Sequence, residues 1–245
     1  AKVEVPRIIA QNINEGFLLL SDIGSQHLAD MLSPMSVELL YMKGIHEILK
    51  MQEIDTTGME LYDKSFLLKE MKLMPEWYLT HYKNESLTQE ETDTLEKVLE
   101  HIADEVLAQP QNLFVHRDFH SRNIMLDSGK LVLLDYQDAL SGALTYDLVS
   151  LLKDVYVEFD SNKMRALALE FKVLKGLAME DEVFLRWFDF TALQRHLKIL
   201  GIFVRLDKRD GKNTYLKEIP LTLKYVLEVC DRYGSLASLG ELLRR

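Results

Sequence analysis

Along most of this chain apolar positions recur three and four residues apart, the spacing that gathers them on one face of an α-helix. After Ser33-Pro34 they fall at Val37, Leu40, Tyr41, Ile45, Ile48 and Leu49, which predicts a helix with Ser33 as cap and Pro34 in the first turn. The same period predicts helices over 66–78 and 95–107, the second stopped by Gln109-Pro110. It returns at Tyr146 and runs to the end, with breaks near Asp160-Ser161, Gly176, 207–213 and Tyr233-Gly234. Two stretches depart from it. Residues 15–21 form a short apolar run after a Gly turn and read as a buried strand, ended by Ser21-Asp22-Ile23-Gly24. Leu113-Phe114-Val115 leads into a polar loop, 116–122, and then two short strands, 123–126 and 131–134, joined by the hairpin turn Asp127-Ser128-Gly129-Lys130. The pattern predicts an α+β fold, mostly α: a helical lobe with one small β-hairpin wedged into it, preceded by a single strand.

Composition narrows the class. With 47% hydrophobic and 28% charged residues, the chain has the balance of a soluble globular protein. A formal net charge of −10 excludes a general nucleic-acid binder, which needs a basic face to neutralise phosphates. No apolar run approaches the ~18 residues of a membrane span. The single cysteine, Cys230, builds neither a disulfide nor a cysteine zinc site, and fits a reducing, cytoplasmic setting as a buried thiol. The opening residues, Ala1-Lys2-Val3-Glu4-Val5-Pro6, have no signal-peptide layout and no initiator Met.

The chemistry concentrates in the loop and hairpin. Phosphoryl transfer to a hydroxyl requires a carboxylate that orients the hydroxyl and takes its proton, and hard oxygen ligands that hold a cation against the phosphates. In His116-Arg117-Asp118-Phe119-His120-Ser121-Arg122-Asn123 an Asp and an Asn lie on a loop entering the hairpin, and Asp135 lies just past its second strand. A hairpin brings its two ends together, so Asn123 and Asp135 are expected to converge on one cation while Asp118 faces an acceptor. The competing readings are turn or cap roles for each residue, and a metal-hydrolase site built from His116, Asp118 and His120. No nucleophile elbow, Walker A loop or dinucleotide fingerprint occurs to suggest another chemistry. His116 is expected to brace the loop by hydrogen-bonding backbone near Asp135. His120 is expected to do likewise or to touch substrate, and Asp147 to cap the next helix while bracing the loop.

Residues 115–126 and Leu133-Leu134-Asp135-Tyr136-Gln137-Asp138-Ala139 resemble the aminoglycoside phosphotransferase/choline kinase superfamily, whose lobes share the protein-kinase plan. Longer matches over 145–154 and 194–203, with Glu70-Met71 and Trp77-Tyr78, are similar to its branch of bacterial anomeric kinases for N-acetylmuramate and N-acetylglucosamine. The resemblance implies ATP and Mg2+ as cofactors, Asp118 as catalytic base, and Asn123 and Asp135 as magnesium ligands. It makes Leu20, Ser21, Asp22 and Ile23 the hinge that meets the nucleotide. His120, Arg122, Gln137, Arg195 and His196 become acceptor-side candidates for a small-molecule sugar, with no nucleic-acid or membrane partner. Arg195 or Lys212 would supply the cation for a substrate carboxylate.

This chain departs from the family pattern in carrying Asp135-Tyr136-Gln137 at the metal loop. It also has neither a Gly-rich loop nor a phosphate-gripping lysine before the hinge. The expected division is a remnant of the small lobe and hinge over 1–24 and a kinase-like lobe over 25–245, giving a weak kinase if the chain acts alone. The rival functions are an aminoglycoside phosphotransferase, which would want a strongly acidic acceptor pocket, and a catalytically dead nucleotide-binding pseudokinase.

Overall fold

In the computed structural model, which describes residues 3–245, Gly16 sits at φ +73°, a conformation that glycine adopts at no steric cost. It closes a turn between β1 (Ile8–Asn12) and β2 (Phe17–Leu20), which pair antiparallel from Ile8–Leu20 to Asn12–Phe17. The strand expected at 15–21 therefore exists, but two parts of its description need correction. It has a partner strand, which the mixed residues Ile8-Ile9-Ala10-Gln11-Asn12 did not reveal, and both strands are exposed along their whole length.

The chain then runs through α1 (Leu28–Met31) to α2 (Val37–Met51). The Ser33 Oγ accepts from the Ser36 amide at 3.1 Å, the Ser36 Oγ accepts from the Ser33 amide at 2.9 Å, and the Val37 amide donates to Ser33 O at 2.9 Å. Ser33 thus closes the turn 34–36 that leads into the helix, but the cap position itself falls on Ser36, three residues later than predicted. The helix predicted over 66–78 divides in two. α3 (Lys64–Met71), capped by Asp63, ends before Pro75, and a π-helical turn covers Met74–Tyr82. α4 (Gln89–Leu107) starts earlier than its apolar pattern shows, because Thr88 and Glu91 form a capping box on a polar first turn.

Six residues past α4, β3 (Leu113–Val115) begins a region of four short strands. β4 (Ile124–Asp127) and β5 (Lys130–Leu133) form the predicted hairpin, each within one residue of expectation. Ser128 and Gly129, both at positive φ, make its two-residue turn. β6 (Leu140–Gly142) was not foreseen; it returns antiparallel to β3, so the region holds a second two-stranded sheet. The remainder is helical: α5 (Tyr146–Leu152), α6 (Ser161–Leu174), α7 (Asp181–Asp210), α8 (Ile219–Arg232) and α9 (Ala237–Arg244). A 3-10 turn over Asn213–Glu218 lies between α7 and α8. Gly211, left-handed at φ +69°, ends α7, with the Gly211 and Lys212 amides closing on Asp207 O and Leu206 O.

Two apolar clusters hold the lobe together. One joins the π-helical turn, α4, α7, α8 and α9 through residues such as Tyr78, Leu99, Leu200 and Val226. The other packs α2, α5 and α6 beneath the hairpin through Ile45, Leu148, Phe171 and Leu133. α7 contributes to both and is buried over most of its length, which is why it shows almost no amphipathic stripe. Among the described residues no helix is long and apolar enough to cross a membrane.

Candidate active site

The four short strands bring two loops face to face. β3 leads into the loop 116–123, β4 and β5 carry the chain out and back, and the loop 134–139 feeds β6, which pairs with β3. Both loops are therefore anchored at both ends. The Leu134 amide donates to Asn123 O at 3.0 Å, so Asn123 and Asp135 lie on adjoining backbone. Asp118, Asn123 and Asp135 all line one open cleft of about 520 Å3.

Carboxylates on and after α5 hold the first loop in place. Asp147, buried in the first turn of α5, accepts the His116 amide at 2.8 Å and the Arg117 amide at 3.0 Å. Those bonds secure a sharp bend in which Arg117 takes φ +73°. Asp154 accepts the Ser121 amide at 2.9 Å and its hydroxyl at 2.5 Å. The start of α1 adds a third anchor: the Ala29 amide donates to Ser121 O at 3.1 Å and the His27 ring meets Arg122 O at 2.9 Å. Between these points Asn123 donates its side-chain N–H to Asp118 O at 3.2 Å, which turns its amide oxygen free of that bond.

Electrostatics fit Asp118 for its expected role. Burial raises its carboxyl, but the charges of Arg195 and Lys198 outweigh that and hold it below the usual range. The Arg195 guanidinium stands 3.8 Å from Asp118 and donates to Arg117 O at 3.1 Å. Below it lies a buried cluster centred on Glu70, whose Oε1 meets Arg117 at 2.6 Å and Lys198 at 2.9 Å. Tyr62 donates to Glu70 Oε2, and the Gln194 amide reaches the same oxygen at 3.3 Å. The other face of Arg117 donates to Asp138 O at 3.3 Å, tying the loop 134–139 to the loop 116–123.

A carboxylate and an amide oxygen on adjoining backbone suit a hard, octahedral cation that keeps several waters and draws further ligands from phosphates. Among the described residues no group of three or more His, Cys, Asp or Glu side chains forms a closed metal cage. His116, Asp118 and His120, considered above as a hydrolase site, therefore do not form such a group. Asp135 itself takes φ +64°, with Gln137 donating to its Oδ1 at 3.0 Å.

Comparison with known proteins decides the family. The profile of the phosphotransferase enzyme family (APH) matches residues 1–188. The chain belongs to this family. It is 37% identical over 249 residues to the N-acetylmuramate/N-acetylglucosamine kinase of Pseudomonas aeruginosa, covering 99% of this chain and 73% of that protein. Among solved structures, a choline/ethanolamine kinase family protein from Mesorhizobium loti shares the fold with a TM-score of 0.64 at 12% identity, covering 98% of this chain and 77% of that one. ADP-bound aminoglycoside phosphotransferase APH(2'')-Ib gives a TM-score of 0.59 at 17% identity, covering 93% and 77%.

Within the phosphotransferase, the expected site residues fall into three groups. Asp118, Asn123, Asp135, His120, Arg122 and Arg195 line the cleft together. Leu20, Ser21, Asp22 and Ile23 lie outside that cleft lining. The Ser21 amide donates to Arg7 O at 2.9 Å, so Asp22 and Ile23 are the positions whose amides make no hydrogen bond among the described residues. His196 needs correction as an acceptor-side residue. It is fully buried in α7, with Nε2 on Lys153 O at 2.9 Å, and does not line the cleft. Its imidazole is pushed down to about 3, chiefly by burial.

The brace expected of the His116 ring is also absent: among the described residues neither ring nitrogen has a partner, while its backbone amide is bound to Asp147. Lys212 lies outside the cleft lining, and Gln137 engages Asp135 rather than the acceptor side. Lys198, expected with Arg195 on the acceptor face, does line the cleft, whereas Tyr156 and the cluster around Glu70 were given no role by the sequence. One signal was available, since Glu70 interrupts the apolar pair Leu67 and Met71 on the buried face of α3.

Proposed function

We propose that this phosphotransferase transfers the γ-phosphoryl group of ATP to a hydroxyl of an amino sugar, the anomeric C1 hydroxyl of N-acetylmuramate or N-acetylglucosamine. The observation that carries the reading is the convergence of Asp118, Asn123 and Asp135 in one cleft, with Asp118 kept ionised beside Arg195. The name of the Pseudomonas aeruginosa relative supports the choice of sugar.

In this reading Asp118 accepts the hydroxyl proton as the sugar oxygen bonds to the γ-phosphorus and the bond to the ADP oxygen breaks. Asn123 and Asp135 hold Mg2+, which when bound supplies charge neutralisation at the phosphates. Asp147 and Asp154 keep the base in position by fixing the loop on either side of it. The amides of Asp22 and Ile23, between β2 and α1, make no hydrogen bond among the described residues and are the hinge groups for the base of the nucleotide. An intact triad in a member of this family favours an enzyme over a dead nucleotide-binding relative.

The charge of the cleft favours a neutral or anionic acceptor over an aminoglycoside. Its lining carries Arg117, Arg122, Arg195 and Lys198. Once Asp118 and Asp135 are assigned to catalysis, Asp138 is its remaining carboxylate. An aminoglycoside is a polycation and calls for several free acids, of which the lining offers Asp138.

The test is to present the full-length protein and MgATP with a panel of N-acetylmuramate, N-acetylglucosamine, choline and several aminoglycosides. Phosphorus NMR of the products then shows which hydroxyl is modified. Anomeric sugar phosphates are expected. Turnover confined to aminoglycosides or choline would overturn the substrate class.

A further inference from the structure

Four cations line the cleft, and three of them are engaged within the protein. Arg117 and Lys198 share Glu70 Oε1 at 2.6 and 2.9 Å. Arg195, with a side chain 5% exposed, is tied to Arg117 O and faces Asp118. Moving any of these three toward a substrate would strand a buried carboxylate or release the catalytic loop.

Arg122 is differently placed. Its side chain is 42% exposed, and its ion pair, to Glu218 Oε1, is long at 3.3 Å. Glu218 also lies 3.8 Å from Lys217, so Arg122 is not its sole counter-charge. The guanidinium carbon sits 3.6 Å from the centre of the Tyr156 ring, a distance at which the planar group lies flat on the aromatic face. Stacking in that way supports the guanidinium while leaving its edge N–H groups in the plane where a carboxylate is bound by two parallel hydrogen bonds. The backbone beneath is pinned, since Arg122 O is held by His27 at 2.9 Å and the next residue is Asn123. The head group is therefore adjustable while its root is fixed to the catalytic loop. Beside it Ile202, Phe203, Leu206 and Tyr215 form an apolar wall of the same cleft, suited to the methyl of an N-acetyl group.

We propose that Arg122, stacked on Tyr156, is the carboxylate receptor of the acceptor pocket. It exchanges Glu218 for the carboxylate of an anionic amino sugar and so sets the preference between N-acetylmuramate and the neutral N-acetylglucosamine. This rests on the amino-sugar reading above. It reassigns to Arg122 the role that the sequence suggested for Arg195 or Lys212.

The test compares kcat/KM for the two sugars, and KM for ATP, in full-length wild type, Arg122→Gln, Arg122→Lys and Glu218→Gln. Losing a charge-assisted bidentate contact costs about tenfold or more in affinity. The ratio of kcat/KM for N-acetylmuramate to that for N-acetylglucosamine should fall by about that factor in Arg122→Gln, mainly through KM. Arg122→Lys should recover part of it. Glu218→Gln removes the internal competitor and should move the ratio the other way, which keeps the proposal testable if Arg122→Gln folds poorly. An unmoved ratio in Arg122→Gln, equal losses for both sugars, a loss expressed in KM for ATP, or a ratio that falls in Glu218→Gln would each overturn the proposal. Wild type that phosphorylates neither sugar would overturn the amino-sugar reading itself.

Discussion

A carboxylate that is to take a proton from a hydroxyl must be ionised before the acceptor binds. At Asp118 burial opposes ionisation, and Arg195 and Lys198 more than compensate. The acid limb of the pH–rate profile assigned to this base is accordingly expected below the ordinary carboxylate range. In the proposed function Asp135 has a separate duty, and Asp135→Asn would remove a charged oxygen from a hard cation. ATP affinity in Mg2+ should drop about tenfold or more in that variant, while affinity in EDTA changes little, and Asn123→Ala should show a smaller drop. Titration calorimetry on the full-length protein checks this; wild-type affinity indifferent to Mg2+ would remove the metal assignment. His196 makes a prediction about stability. Its folded-state value is pushed down to about 3 while an unfolded imidazole titrates near 6.5, so the unfolded chain binds the extra proton between those values. Stability is lost as pH falls through that window, at up to ~1.4 kcal/mol per pH unit from this residue. Asp147, pushed up to about 6 mainly by burial, acts in the opposite sense between about 4 and 6. The clean readout is therefore a difference: urea denaturation of His196→Gln should show a flatter acid-side slope than wild type, and equal slopes would contradict the buried neutral imidazole.

At the scale of elements, the site depends on how α3, α5 and α7 meet under the loops. Glu70 on α3 holds a cation from the catalytic loop and another from α7, so it joins three segments through one carboxylate. Glu70→Gln leaves Arg117 and Lys198 as buried cations without their counter-charge, a change that costs roughly 3 kcal/mol or more. It should lower both thermal stability and kcat; a variant with wild-type stability would mean that solvent or another acid replaces Glu70 readily. α7 reaches this position because Gly201 lies against the backbone of Leu73, where an added Cβ would stand 2.3 Å from the carbonyl. Gly201→Ala should cost about 2 kcal/mol or more despite alanine's better helix propensity, because backbone cannot yield as a side chain can. Denaturant melts decide it, and a neutral or stabilising effect would show that α7 and the π-helical turn can separate freely.

For the molecule as a whole, sequence pattern foresaw the helices and the hairpin but not the short strands whose partners carry no local signal. The hairpin β4–β5 was legible because Ser128-Gly129 and the flanking apolar runs are local signals; Asn123 and Asp135 sit at its ends and Asp118 in the loop that enters it. β6 was not legible, since Leu140-Ser141-Gly142 becomes a strand only by pairing with β3, about 25 residues away in the chain. β1 was hidden for the same reason, and the exposure of β1 and β2 is a property of their surroundings that no window of sequence contains. His196 was misjudged because α7 is buried on nearly every side, which removes the periodicity that separates a cleft-facing residue from a core one. The Glu70 cluster unites residues 62, 70, 117, 194 and 198, a constellation that exists only in three dimensions. The proposed function requires that the two loops converge on one phosphoryl-transfer site with Asp118 as its base. The most direct measurement is kcat for N-acetylmuramate in full-length Asp118→Asn, with ATP affinity determined on the same preparation. The expected result is a kcat lower by about 100-fold or more with ATP affinity within a few-fold of wild type, as removal of a base acts on the transition state rather than on nucleotide binding. An Asp118→Asn enzyme that turns over at the wild-type rate would contradict it.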